Sequence, residues 1–186
     1  MMRPKWADCG ETLIFQLGAS SEQSIQEGEM TVNRWHSHPD PALRNSGDTI
    51  DTHQQRVMAL CHSLAAAIGH TLTKSDLLRA ARHHDEAERV LGDMPAPAKA
   101  MFPALAAAYA KAELSVLTDA GLTWNLTRIE NDMLSICDRL DAWLWATSHG
   151  ATGSEWNEAK ANILIIASRI GPKATEWAKQ EMKPHG

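Results

Sequence analysis

Five long stretches of this chain end, one after another, at a glycine: Gly69, Gly92, Gly121, Gly150 and Gly171. The clearest is "DTHQQRVMALCHSLAAAIG", residues 51–69, where Val57, Leu60, Cys61, Leu64 and Ile68 form one apolar stripe. That three-and-four spacing suits a helix, whereas a half-buried strand alternates every second residue. "TKSDLLRAARHHDEAERVLG" predicts a second helix, capped by Thr73 and stopped by Gly92. An Ala-rich helix is expected from Pro103 to Gly121. "NLTRIENDMLSICDRLDAWLWATSHG" places Ile129, Met133, Ile136, Leu140 and Leu144 on one face. "SEWNEAKANILIIASRIG" and "PKATEWAKQEM" predict two more helices, the last with Pro172 at its start. The expected fold class is all-α, a compact helical bundle. "TLIFQL" near the N-terminus is the one hint of a strand.

A chain of 186 residues is expected to form one domain with a sizeable core. Residues 1–29 stand apart in composition, rich in Ser, Gln and Glu over 20–29. They are read as an N-terminal extension of uncertain structure, and 30–186 as the folded domain. The net charge of -5 argues against broad affinity for nucleic acid polymers or anionic membranes. No apolar run reaches the length of a membrane span, and no signal pattern opens the chain. Cys9, Cys61 and Cys137 show no metal spacing and no even framework. They read as free thiols, which fits an expected cytoplasmic location, the host cytoplasm if the chain is phage-encoded.

"ARHHDEAERVLGDMPAPAK", Ala81–Lys99, carries the densest set of acids and bases. A helix turns about 100° per residue, so His84 and Asp85 can both reach a cavity at whose edge they sit. Glu88 follows one turn later on the same side, and Asp93 lies just past the helix end. His53 stands one turn before Val57, on the core stripe. Asp138 interrupts the apolar run "LSICDRLDAWLW", where a charge needs a partner or a metal. Singly, each has a plainer explanation: a cap, a satisfied histidine, an ion pair of Asp138 with Arg128 or Arg139. His36, His38, His62, His70, His83 and His149 are read as mostly solvated. Together, two imidazoles and two carboxylates from three helices suit a divalent transition metal better than calcium.

The order His53, His84-Asp85, Asp138 resembles the metal signature of the HD-domain phosphohydrolases. "HHDEAERVLGDMPAPAK" is similar to a stretch of bacterial 5'-deoxynucleotidases and small phage dATP triphosphohydrolases, "RWH" at Arg34–His36 to their Arg-Trp motif, and "DRLDAWLWA" to their final helix motif. The resemblance covers about residues 31–150, and it implies an HD-domain bundle. It further implies His53, His84, Asp85 and Asp138 as ligands of a divalent ion (Zn, Co, Mn or Mg). On the same resemblance Glu88 would take the acid/base role, and Asp93 would be a second carboxylate near the sugar or the attacking water. By the same resemblance Arg34 and Lys99 would contact phosphate, Trp35 would pack on the 2' edge of the sugar, and Pro97 would form part of the base-side wall. Relatives often carry a Lys three residues before the last metal Asp. Here that position is Ser135, so either Arg56, Arg82 or Arg44 replaces the cation or the phosphate grip differs.

The activity implied is hydrolysis of a deoxynucleotide. The favoured reading, from the short Asp85–Asp138 interval, is dATP and water to deoxyadenosine and triphosphate. Such phage enzymes deplete dATP where 2-aminoadenine replaces adenine in the genome. A 5'-deoxynucleotidase acting on dNMPs is the alternative, and a non-catalytic nucleotide-binding module the remote one. Family members are oligomeric, and a homo-oligomer is expected.

Overall fold

Thr49 and Thr127 start the two longest helices in the same way. Each hydroxyl accepts from the backbone N–H three residues on, and the residue there (Thr52, Glu130) reaches back to the cap N–H. The computed structural model describes residues 32–151 and 153–183. Among these, the helices are α1 (Pro41–Arg44), α2 (Ile50–Ile68), α3 (Leu77–His83), α4 (Glu88–Leu91), α5 (Ala96–Met101), α6 (Pro103–Asp119), α7 (Arg128–Ser148), α8 (Ser154–Ile170) and α9 (Pro172–Glu181). The one β feature among the described residues is an isolated bridge between Asn33 and Thr49. The all-α class is therefore observed. The N-terminal extension over 1–29, the "TLIFQL" strand and Cys9 lie outside the described residues.

α7 packs against α2, α3 and α8, and α9 packs against α2 and α8. The expected stripes meet there: Val57, Cys61 and Leu64 of α2 bury against Met133, Ile136 and Leu140 of α7. Ile129, assigned to the same α7 face, is instead exposed in the first turn of the helix, where it borders a pocket with Ile68 and Ile170 at the ends of α2 and α8. Cys61 and Cys137 are free and buried in the same core. Gly69 holds φ 75°, a conformation that costs other residues dearly, and its N–H closes α2 onto the Ala65 and Ala66 carbonyls. The Ala-rich α6 buries only Leu117 and leaves Leu105 and Leu114 exposed. No helix among the described residues is long and apolar enough to cross a membrane.

The expected single helix from Thr73 to Gly92 is corrected. Its first turn is capped by neither Thr73 nor a side chain of Asp76; the Ser75 hydroxyl accepts from Leu77 N. The helix then breaks after His83. Over the next residues the backbone tightens to bonds three apart, Glu86 N to His83 O, Glu88 N to Asp85 O and Arg89 N to Glu86 O. His84 Nδ1 meets the Ala81 carbonyl at 3.0 Å, a side-chain bond that competes with the helical ladder. The turn swings His84 and Asp85 to one side, which a regular helix would not do for adjacent residues.

Candidate metal centre

Three elements bring the histidines and aspartates together: α2 supplies His53, the turn after α3 supplies His84 and Asp85, and α7 supplies Asp138. His53 is fully buried, although it lies only one turn inside α2. Its Nε2 stands 3.2 Å from His84 Nε2, 3.3 Å from Asp85 Oδ2 and 3.3 Å from Asp138 Oδ1. His84 Nε2 lies 3.4 Å from Asp85 Oδ1 and 3.7 Å from Asp138 Oδ1. Ligand bonds of about 2.1 Å to a tetrahedral ion set neighbouring ligand atoms about 3.4 Å apart. His53, His84 and Asp138 each offer an atom within 4.8 Å of the others, while Asp85 turns one oxygen to each histidine, Oδ2 to His53 and Oδ1 to His84.

The charges explain why this set is unusual. Burial would lower the pKa of His53, but Asp138, Asp141 and Asp85 push it up to about 10. Burial would raise Asp138, but hydrogen bonds with His53 and His84 hold its carboxyl well below the usual range. Asp85 is likewise lowered against burial, chiefly by His84. The centre thus attracts positive charge from several sides, a demand that protons or a cation can meet.

Glu88 stands at the start of α4. Its carboxyl is raised to about 8 by burial and by the neighbouring charges of Asp85 and Asp93, against the pull of Arg34 and Lys99. Asp93 is raised by desolvation, with Lys99 and Arg34 opposing, but it is an exposed residue and the effect matters less there. Arg34 lies in the midst of the carboxylates, 3.9 Å from both Asp85 and Asp138 and 3.7 Å from Asp48. Lys99 is exposed, with its ammonium 5.7 Å from the Tyr109 ring centroid. α5 carries Pro97 in its backbone, and the Pro97 side chain lies outside the described part of the structure.

A cavity of about 890 Å³ is lined by Arg34, Trp35, Asp93, Arg139 and Trp156, among others. Trp35 packs edge-on to Trp156, with ring centroids 6.1 Å apart, and its Nε1 donates to Asp48 Oδ2 at 3.0 Å. It also packs against the small cluster of Leu43, Ala146 and Ala151, so it anchors the segment before α2 as well as facing the cavity.

Several sequence expectations are corrected here. Asp138 pairs with neither Arg128 nor Arg139; it faces Arg34 and the two histidines. Of the cations expected to stand in for the missing Lys, Arg56 is held by Asp141 and Asp48, and Arg82 by Gln54. Arg44 reaches, among the described residues, the His38 carbonyl at 3.5 Å. Arg139 was not among them, yet it bonds Ser135 itself and lines the cavity with Arg34. Asp141 was also missed. The signal available was its position one turn after Asp138, in an apolar helix where a second carboxylate needs its own reason. His70 is half-enclosed rather than solvated, because it meets Glu130 at 3.3 Å. Comparison of the chain with models of known protein families, with curated proteins and with solved structures finds no match.

Proposed function

We propose that this chain is a metal-dependent deoxynucleotide phosphohydrolase of the HD-domain kind, with dATP the favoured substrate and deoxyadenosine and triphosphate the products. One observation carries the reading: His53, His84 and Asp138 bring one ligand atom each within 4.8 Å of one another, with Asp85 beside both histidines, Arg34 among the carboxylates and Glu88 nearby. His53, His84, Asp85 and Asp138 would hold a divalent ion. Such an ion lowers the pKa of water and draws charge from a phosphoryl oxygen.

The remaining work falls to the chain's own residues. Glu88, with its carboxyl raised to about 8, is suited to take a proton from an attacking water near neutral pH. As that water's oxygen bonds to the α-phosphorus, the bond to the 5'-oxygen breaks, and Glu88 returns the proton it took to that oxygen as the deoxynucleoside leaves. Arg34 offsets the negative charge that develops on phosphorus-bound oxygens, and Arg139 and Lys99 add positive charge nearby. The cavity is of a size that accommodates a nucleotide, and Trp35 supplies a flat wall for a sugar without a 2'-hydroxyl. Its indole N–H is already engaged by Asp48, so it offers that hydroxyl no partner.

The test is incubation of the chain with Mn²⁺ or Co²⁺ and, separately, dATP, dAMP and ATP, with the products identified by chromatography. Deoxyadenosine and triphosphate from dATP, with little turnover of ATP, is expected. Release of phosphate from dAMP alone would replace the favoured reading with the 5'-deoxynucleotidase one. No turnover of any of the three would reject both.

A further inference from the structure

The first ligand histidine is gripped at both ring nitrogens by a single turn of α7. Asp138 Oδ1 faces His53 Nε2 at 3.3 Å, and Asp141 Oδ2 meets His53 Nδ1 at 2.7 Å. These aspartates are three residues apart and project from the same helix face. Asp141 therefore lies on the side of the ring away from the converging ligand atoms. Its residue is only 3% exposed, a costly place for a carboxylate without a partner.

Asp141 is itself held fast. Arg56 Nε donates to Asp141 Oδ1 at 2.6 Å, and Arg56 Nη2 donates to Oδ2 at 2.9 Å, a two-point grip. The same Nη2 donates to Asp48 Oδ1 at 2.8 Å. The Arg56 guanidinium also lies over the Trp145 ring, 4.4 Å from its centroid. The carboxylate consequently has little freedom to turn.

Arg34 Nη1 also lies 2.7 Å from His53 Nδ1, so two groups compete for one ring nitrogen. An imidazole nitrogen carries either one hydrogen or one lone pair in the ring plane. When Nε2 presents its lone pair to a cation, the neutral ring carries its hydrogen on Nδ1. That hydrogen can go only to an acceptor, which Asp141 is and Arg34 is not. Arg34 keeps carboxylate partners at 3.7–3.9 Å in Asp48, Asp85, Asp138 and Asp141.

We propose that Asp141 is a positioning residue: anchored by Arg56, it accepts the Nδ1 hydrogen of His53 and so aims the Nε2 lone pair at the point where His84, Asp85 and Asp138 converge. The proposal rests on the metal-centre reading above. A carboxylate behind a ligand histidine fixes its tautomer and ring orientation and raises its basicity, and losing such a partner typically weakens metal binding 10- to 100-fold.

The test is a Co²⁺ titration of the metal-free full-length protein, followed by visible absorption. The wild-type chain is compared with Asp141→Asn, and thermal unfolding in EDTA records the stability of each. Asp141→Asn is expected to bind Co²⁺ about 10- to 100-fold more weakly, with altered absorption bands. Glu130→Gln, which weakens the start of α7 away from the centre, serves as the control for general destabilisation and is expected to keep wild-type affinity and bands. If Asp141→Asn is unfolded in EDTA, Asp141→Glu carries the same test, since it keeps the charge for Arg56 but displaces the oxygen that meets Nδ1. Wild-type affinity and bands in a folded Asp141 variant would overturn the positioning role alone. A wild-type chain that takes up no Co²⁺ would instead overturn the metal centre, and the positioning role with it.

Discussion

His70 Nε2 lies 3.3 Å from a glutamate oxygen of α7, and His53 Nε2 lies 3.3 Å from an aspartate oxygen of the same helix. The two pairs match in distance and differ in everything around them. Glu130, beside His70, has a structural task for its other oxygen: Oε2 accepts from Thr127 N at 2.8 Å and from the Thr127 hydroxyl at 2.7 Å, closing the start of α7. The Ser75 hydroxyl, together with Thr127 and His70, lowers its carboxyl to about 2 despite the opposing effect of burial. The carboxylates that face His53 close no helix end, since Thr49 and Thr52 already cap the start of α2. A second histidine and three aspartates, Asp85, Asp138 and Asp141, face His53, and the two imidazole nitrogens point at each other from 3.2 Å. A histidine beside a carboxylate is thus a weak sign of chemistry. Convergence of several such groups that no local structure requires is a strong one.

The largest effect that would sharpen this contrast is on turnover. Glu88→Gln should lower kcat by about 10²- to 10⁴-fold, the usual worth of a positioned base, while metal binding persists. The wild-type profile should share this origin. A base works when deprotonated, so kcat/KM should rise with pH through the Glu88 pKa, at or below its value of about 8 in the metal-free chain. A cation beside Asp85 can only draw that value down. The rising limb should vanish in Glu88→Gln. Near-native turnover in that variant would reduce Glu88 to a helix-surface residue.

Next comes the cap, where the effect should be on stability alone. Glu130→Gln should destabilise the fold by about 1–2 kcal/mol with kcat unchanged. Its folded pKa is depressed, so its contribution is fully present above about pH 4.5 and fades as pH falls toward 2. Denaturation midpoints of wild type and variant should therefore differ at pH 7 and converge as the pH drops toward 2. A gap that persists unchanged to pH 2 would show that the carboxylate charge does not support the cap.

Most of the architecture was legible in the chain because it rests on local signals. Apolar spacing marks α2 and α7, and the glycines after α2 and α8 mark their ends. The break after His83 was not legible, since Ala81–Leu91 reads as unbroken helix and the side-chain bond from His84 to Ala81 O shows only in three dimensions. That His53, His84, Asp85 and Asp138 lie near one another was legible from type and order. Their surroundings were not. Asp141 meets Arg56 across 85 positions and His53 across 88, distances over which no local pattern operates. Arg139 was read only as one partner that Asp138 could take, because the two are adjacent; on the helix they point in different directions, and the long Arg139 side chain folds back to Ser135.

The most direct test of the account is the metal content of the purified chain after loading with Co²⁺ or Mn²⁺ and removal of free ion. The account predicts one ion per wild-type chain, one per Glu130→Gln chain, and loss of the ion in Asp85→Ala. A wild-type chain that holds no ion, or an Asp85→Ala chain that keeps a full one, would contradict it.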